Sequence, residues 1–498
     1  MGGALGRLPL LVVLAGVLAL SMQVPALHAL TRDAHAEARA FFYWSAIFLA
    51  LVTGVAVVAR RPLSANLARS HLVALVGAFA GLPLMAMMPV TEIVRDTSAI
   101  NLYTEMVAAA TTTGGSLYDP DRLSQSVHLW RAMVAWQGGL MVWIAAVAVL
   151  APLRLGGFEV TWSDRAGQSA RLSIADQRRA PGERLWRYAR TLTPVYVGLT
   201  LALWMLLAFG GSGQTEAAIR AMSTMSTSGI VGQGDAPGFW GEIAIFAFLL
   251  FAVSRLTFAG DLHREQVARL ARDRELRMAF MLVSAVTLVL FGRHWIGIYD
   301  LTAEQPFTAG LEALWGAAFT TLSFLTTTGF ESQSWSEART WSGLEQPGVL
   351  LVGLAMFGGG VATTAGGVKL LRVYALYAHG RREMSLLIHP HSVGSHSPDA
   401  MRLPVKGTEA AWVFFMLFAT SIAVTTLALG ATGLEFREAV VLASAALTTT
   451  GPLADVAMEG GVARLTDTAK LVFVAAMVVG RLEALALIAL FNPDFWRR

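Results

Sequence analysis

Apolar residues along this chain gather into long runs, at about 8 to 30, 40 to 58, 72 to 90, 132 to 152, 192 to 210, 239 to 258, 278 to 292, 348 to 378, 410 to 430 and 468 to 491. Each run approaches the ~20 residues that a helix needs to cross a ~30 Å hydrocarbon core. The pattern therefore predicts ten membrane spans. Shorter apolar, helix-favouring segments lie between some of them, at 99 to 110, 215 to 225, 309 to 325 and 437 to 447, and these are too brief to cross. Each short segment runs into a hydroxyl-rich stretch ending in glycine: TTTG at 111 to 114, STSG at 226 to 229, TTTG at 326 to 329 and TTTG at 448 to 451. The unit is span, half-helix, loop, span, and it repeats four times after two extra N-terminal spans. The expected organisation is two N-terminal helices over 1–68, a first pore repeat over 69–155, a cytoplasmic loop with the second repeat over 156–265, a third repeat with an intramembrane gating loop over 266–385, and a fourth over 386–498.

Composition agrees with the pattern. The chain of 498 residues is 55% hydrophobic and only 14% charged, and its mean hydropathy is +0.55; this is an all-α polytopic membrane protein. It has no cysteine, which excludes disulfides, thiolate catalysis and cysteine zinc sites. Arg7 before the first run and VPA at 24 to 26 resemble a secretory signal, but the run is long and a second span follows closely, which favours an uncleaved helix.

Charge orients the chain. Segments 59–70, 153–190, 255–278 and 369–408 are rich in arginine and lysine, whereas 115–126, 230–240, 299–308, 331–347 and 452–467 lean acidic. The basic segments and both termini should be cytoplasmic, in a plasma membrane. This asymmetry accounts for the basic balance without a nucleic-acid partner. The cytoplasmic histidines His389, His391 and His396 have no tight ligand spacing and read as a solvated or docking surface.

All four TTTG-like loops then lie on the outer side. A half-helix that returns as irregular backbone is tolerated in a membrane only where it lines a cavity or lies inside protein. Four of them can surround one axis, and the cavity they would line is a pore. Threonine favours extended backbone with carbonyls turned sideways, glycine permits the dihedrals that continue a carbonyl ring, and such rings replace the hydration shell of a potassium ion. One copy alone reads as helix capping; four copies in one topological position do not.

Two further features lie deep in apolar segments. FGGGVATTAGGVKLLR at 357–372 puts five glycines and two threonines into ten residues near mid-membrane. A run of this kind is a poor helix. It reads as a flexible gating loop beneath the filter, with Lys369 at its cytoplasmic end, or alternatively as glycine-lined close packing. Arg481 and Glu483 sit inside the last run. Arg481 is expected to face the pore, with a structural salt bridge or snorkelling as the alternative, and Glu483 to pair with a neighbouring helix. Paired carboxylates or histidine clusters at a membrane face are missing, so an enzyme is not expected. Sodium- or proton-coupled symport would need buried acids along the pathway, and apart from Glu483 the sequence offers few.

The TTTGG stretch with the helix after it, AMSTMSTSG, FTTLSFLTTTGFES, FGGGVATTAGGVK, ALTTTGP and VVGRLEALALIALFNPDFWR together resemble the Trk/Ktr/HKT superfamily of potassium transporters, nearest its bacterial TrkH-type uptake subunits. The resemblance implies a gated potassium uptake subunit with K+ as the transported ion and no organic cofactor. It implies ion coordination by the backbone of Thr112, Thr113 and Gly114; Thr227, Ser228 and Gly229; Thr327, Thr328 and Gly329; and Thr449, Thr450 and Gly451. The gate would comprise Gly358, Gly359, Gly360, Thr363, Thr364, Gly366, Gly367 and Lys369 with Arg481. A homodimer with one pore per subunit and a cytoplasmic ring of nucleotide-binding regulatory subunits of the TrkA type are implied as partners, within the lipid bilayer. Two departures stand out: Ser228 and Ile230 where the family usually has glycine and phenylalanine, and ATTAGG where its intramembrane loop usually reads GSTGGG.

Overall fold

The computed structural model describes residues 8–59, 67–150, 181–254, 273–296, 307–344, 347–388, 405–458 and 460–483. Among these the chain is helical with no strand. Helices α1 (Leu10–Ser21) and α2 (Gln23–Thr31) continue one another through Met22, and α3 (His35–Val58) packs back against both. Then come α4 (Leu67–Ile93), α5 (Ala99–Ala110) and α6 (Gln125–Ala145); α7 (Pro181–Phe209), α8 (Gln214–Ser226) and α9 (Gly238–Leu249). The third group is α10 (Arg274–Ile296), α11 (Phe307–Leu325), α12 (Trp335–Ser342), α13 (Gly348–Phe357) and α14 (Leu370–Ile388), and the fourth is α15 (Val405–Gly430), α16 (Phe436–Leu447) and α17 (Asp467–Leu482).

Among the described residues, seven helices are long and apolar enough to cross a membrane: Leu10–Thr31, His35–Val58, Val73–Ile93, Gln125–Ala148, Leu185–Phe209, Arg274–Arg293 and Gly407–Gly430. The other three expected spans differ from their runs. The run at 239–258 is a short helix, Gly238–Ala252. The run at 348–378 is cut into α13 and α14 by irregular backbone. The described part of the last run gives α17, which ends at Leu482 with Glu483 at a positive φ of 59°, and residues 484–491 of the run lie outside the described residues. Hydropathy counts apolar residues and cannot register backbone that leaves the helix inside an apolar stretch.

The four short helices α5, α8, α11 and α16 are the inner elements. Side chains small enough for close approach fill their C-terminal halves: Ala108, Ala109 and Ala110 in α5, and Ala443, Ser444, Ala445 and Ala446 in α16, all buried. Their starts are fixed locally. The Ser98 hydroxyl accepts from the Asn101 N–H to begin α5, and Glu435 and Glu438 form a reciprocal capping box at α16. The long helices surround them with exposed apolar faces, for example Phe42, Ile47 and Leu51 on α3; such a face belongs in hydrocarbon.

The groups interlock in a cycle. In each group a later helix packs against the short helix of the next group: α6 on α8, α9 on α11, α13 on α16, and α17 back on α5. The last contact closes the ring, so no group buries its inner face by itself.

Candidate ion-conducting site

Each short helix ends in the same hydrogen-bonded turn. The first hydroxyl of each loop reaches back to the helix: Thr111 to Val107 O at 2.7 Å, Ser226 to Met222 O at 2.9 Å, Thr326 to Leu322 O at 3.0 Å and Thr448 to Ser444 O at 2.7 Å. It also pairs with the hydroxyl two residues on, Thr111 with Thr113 at 2.8 Å, Ser226 with Ser228 at 3.0 Å, Thr326 with Thr328 at 3.1 Å and Thr448 with Thr450 at 3.1 Å. The residue between is left-handed each time, at φ 54° for Thr112, Thr227 and Thr449 and 58° for Thr327. A β-branched residue in that region costs roughly 1–3 kcal/mol and persists only where its surroundings enforce it. Ser228, unusual by resemblance, keeps the hydroxyl pair that a glycine would lose. The first hydroxyls, Thr111, Ser226, Thr326 and Thr448, were not among the expected site residues, although the paired hydroxyls two apart in every copy, T-x-T or S-x-S, could have flagged them.

The four loops meet one another through their glycines. A side-chain carbon on Gly114 would overlap the Ser228 carbonyl oxygen, one on Gly229 the Thr328 carbonyl oxygen, and one on Gly451 the Gly114 carbonyl oxygen; on Gly329 it would lie 2.7 Å from the Pro452 ring. Loop one thus abuts loop two, two abuts three, three abuts four, and four returns to one. The Gly451 N–H donates to Thr113 O at 2.6 Å across that last junction, using one of the two lone pairs of that carbonyl. All twelve loop residues named from the sequence are therefore brought to one ring. Within it the Thr112 and Thr449 hydroxyls are buried without a hydrogen-bond partner among the described residues.

Irregular backbone leaves the first three ring positions, and buried acids take up its amides, whereas the fourth passes through Pro452 into the short helix Leu453–Ala457. Glu105 of α5 accepts from Leu117 N at 2.9 Å and Ser116 Oγ at 3.3 Å; Glu216 of α8 accepts from Gly232 N and Gly234 N, both at 3.4 Å. Glu242 of α9 accepts from Gln333 N at 2.6 Å, Ser332 Oγ at 2.8 Å and Trp315 Nε1 at 2.6 Å. The sequence reading found few buried acids, yet these three are buried. Nothing in an apolar-run pattern separates an acid facing inward from one facing water. All three are engaged in structural bonds, which is a different use from carrying a coupling proton.

Above the ring opens a cavity of about 1080 Å³, lined among others by Gly115, Gly229, Gly329, Glu331 and Asp455. The Asp455 carboxyl is pushed up to about 6, first by the protein crowding around it and then by the charges of Glu331 and Glu105. Glu331 is raised for the same first reason, against the pull of Arg339. Both are open to solvent on the cavity side while protein surrounds them on the others.

Beneath the ring lies the segment 358–369. Its backbone takes positive φ at Gly358, Ala362, Gly367 and Lys369, and the Gly358, Gly359, Gly360, Thr363, Thr364 and Gly366 positions are buried. Glycine is required by contact as well as by torsion. Side-chain carbons on Gly360 and Gly366 would overlap the carbonyl oxygens of Val253 and Thr448. The Gly366 N–H donates to the Thr327 hydroxyl at 2.7 Å, and the Thr364 hydroxyl donates to Met225 O at 3.2 Å, tying the segment to the third and second turns. It is held from the other side by Gly360 N to Ala252 O at 3.0 Å and Val361 N to Glu275 Oε1 at 2.7 Å. The close-packing alternative is therefore a property of this segment whatever its motion.

Arg481 reaches the same segment from α17: its Nη1 donates to Thr364 O at 2.7 Å, while Nε and Nη2 are buried without partners among the described residues. Glu483 does pair with a neighbouring helix, to Arg372 of α14 at 2.8 Å, and the Arg372 guanidinium lies 3.5 Å from the Phe414 ring centroid. Lys369 is buried and donates from Nζ to Ala365 O. His389, His391 and His396 lie outside the described residues, and metal-holding clusters of histidine and acidic residues are absent among those described.

Comparison with known proteins was made against this geometry. The family described as TrkH, cation transport protein, matches residues 265–498. The Trk system potassium uptake protein TrkH of Salmonella typhimurium is 33% identical over 404 residues, 79% of this chain and 78% of that one. The Trk system potassium uptake protein TrkI of Halomonas elongata is 27% identical over 505 residues, covering 99% and 96%. The crystal structure of the potassium transporter TrkH from Vibrio parahaemolyticus superposes with a TM-score of 0.80 at 25% identity, covering 99% of each chain. An all-helical membrane architecture, a cyclic set of four glycine-ended turns and relatives this similar over this length lead to one assignment: the chain belongs to the TrkH family of cation transport proteins, and it is a transporter and not an enzyme.

Proposed function

We propose that this protein takes up potassium through the ring of four loops, down the electrochemical gradient. Inward movement gains about 2.3 kcal/mol per charge for each 100 mV of membrane potential. The observation that carries the reading is the closed glycine contact, in which each loop's turn is fitted against its neighbour so that the four can act as one selective unit. Thr112, Thr113 and Gly114, Thr227, Ser228 and Gly229, Thr327, Thr328 and Gly329, and Thr449, Thr450 and Gly451 supply the coordinating backbone, and the unpartnered Thr112 and Thr449 hydroxyls are further oxygen donors at the ring. One glycine per loop makes a short filter, with fewer dehydrated ions than a longer one. The ion is the cargo, and no organic cofactor is needed.

The segment 358–367 with Lys369 and Arg481 forms the gate. Its bonds to the turns above, to Glu275 and to Arg481 hold it under the ring, and an unsatisfied guanidinium there repels a passing cation. The relatives are named for the Trk system, so a cytoplasmic regulatory subunit of the TrkA type, nucleotide-binding by resemblance, is the natural opener, and a homodimer in the bilayer the working unit. Sodium- or proton-coupled transport is the second reading, and the engagement of Glu105, Glu216 and Glu242 in structural bonds weighs against it.

Flux of K+, Rb+, Na+ and Li+ into proteoliposomes of the full chain, with its regulatory subunit added, tests this. Potassium preference that Gly329→Ser diminishes is expected. A preference indifferent to that change would sink the filter reading, and flux unaffected by Arg481→Gln would sink the gate.

A further inference from the structure

Two of the buried acids come with a buried arginine. Arg131 of α6 forms an ion pair with Glu105, and Arg220 pairs with Glu216 one helical turn away at 2.6 Å. Relative exposures are 2% for Arg131 and Glu105 and 6% for Arg220 and Glu216. Burying such pairs is costly, and apolar residues of similar volume would hold two helices together at least as well. What they supply that apolar residues cannot is grip on irregular backbone at both polarities. Around loop one, Glu105 takes the Leu117 N–H and the Ser116 hydroxyl while Arg131 Nη2 donates to Gly115 O at 2.7 Å. Around loop two, Glu216 takes the Gly232 and Gly234 N–H groups while Arg220 Nη2 donates to Gly234 O at 3.2 Å and Asp235 O at 2.7 Å.

The first clamp extends further. Arg131 Nη1 meets His128 Nδ1 at 3.1 Å, and His128 Nε2 meets Pro120 O at 2.9 Å, so the neutral ring accepts from the arginine and donates to the carbonyl. The clamped residue, Gly115, directly follows Gly114. It also seats loop four, because a side-chain carbon on it would lie 3.1 Å from the Gly451 carbonyl carbon, beside the Gly451 N–H bond to Thr113 O. Fixing Gly115 therefore fixes one side of the junction at which the ring closes.

We propose that the buried clamps Arg131–Glu105 and Arg220–Glu216 determine the ion preference of the ring by positioning loops one and two from behind. They touch no ion; they set how far the carbonyls of these loops can yield toward a smaller cation. The proposal rests on the filter reading above, and its test separates the two.

The full chain is reconstituted with its regulatory subunit, and potassium and sodium uptake are compared for wild type, Arg131→Lys, Arg220→Lys, the double variant Glu105→Met with Arg131→Leu, and Gly329→Ser. Lysine keeps the charge facing the glutamate but loses the fork that reaches the loop carbonyls. The potassium-to-sodium ratio in Arg131→Lys should fall about tenfold, the scale of one charge-assisted hydrogen bond, with the thermal midpoint near that of wild type. The double variant should fold and show the same loss. A ratio unchanged in both, with a lowered midpoint, would reduce the clamps to structural supports and overturn the proposal. If Gly329→Ser shifts the ratio and the clamp variants do not, the clamp proposal alone fails; if Gly329→Ser also leaves it untouched, the filter reading fails with it.

Discussion

Loops one and two stand against paired buried charges, Arg131 with Glu105 and Arg220 with Glu216, which hold the outgoing backbone by its N–H and C=O groups alike. Loop three stands against Glu242, which takes a tryptophan N–H where the others take a guanidinium. Loop four is fastened by its own Gly451 amide to loop one. The same turn, with the same left-handed threonine, is thus supported in different ways around one ring. The segment under the ring meets loop three through the Thr327 hydroxyl and packs on the Thr448 carbonyl at the start of loop four. The half of the ring with the fuller ionic support is set from behind, and the other half takes most of its fixation from neighbouring loops and from the segment below. One repeated motif thus serves a wall with ionic support and a wall with less, while the segment below also reaches loop two, through the Thr364 hydroxyl to Met225 O.

The comparison breaks most visibly at the glycines. Gly114→Ala drives a methyl group into a backbone carbonyl of loop two at φ 67°, whereas Gly329→Ala meets the Pro452 side chain at φ 81°. Gly114→Ala should abolish potassium preference in a proteoliposome flux ratio and Gly329→Ala should only reduce it; equal losses would show that the two walls are equally rigid. Next in size are the acids. Glu105→Gln leaves Arg131 charged and buried and should lower stability by about 3–5 kcal/mol, against about 1–3 kcal/mol for Glu242→Gln, which strands no cation. Thermal unfolding in detergent would rank them, and the reverse order would deny the difference in support.

The smallest effect concerns the cavity above loops three and four. The Asp455 carboxyl is pushed up to about 6 and that of Glu331 is raised as well, so Asp455 is charged above about that pH and should draw cations toward the cavity. As external pH falls through about 6 Asp455 becomes neutral, and potassium uptake should fall about twofold, because salt screens such charges over about 8 Å. Asp455→Asn should flatten this dependence, and an unchanged pH profile would exclude the carboxylates from the entry path.

Much of this was legible in the chain. The half-helices expected at 99 to 110 and 437 to 447 are Ala99–Ala110 and Phe436–Leu447, because their apolar pattern, capping residues and glycine punctuation act within a few residues. The break at 358–367 was legible for the same local reason, since glycine-rich sequence is a poor helix anywhere. Of the ten expected spans seven are long apolar helices among the described residues, and the last run is described only as far as Glu483, whose carboxylate binds Arg372, 111 residues away. The first clamp was illegible, since Glu105 and Arg131 are 26 positions apart until the helices pack; Glu216 and Arg220 stand at the four-residue spacing of a helical ion pair, but their grip on the loop backbone was not legible.

The sequence by itself determined the membrane setting, the fourfold unit and the residues of each turn, because hydropathy, hydroxyl back-bonding and glycine torsion are properties of neighbours along the chain. Only the tertiary structure decided the order in which the loops meet, which carbonyl each glycine faces, and which buried charge holds which loop. Those depend on the packing of α6, α9, α13 and α17 each against the next group's short helix, a contact between segments whose separation along the chain carries no pattern of its own.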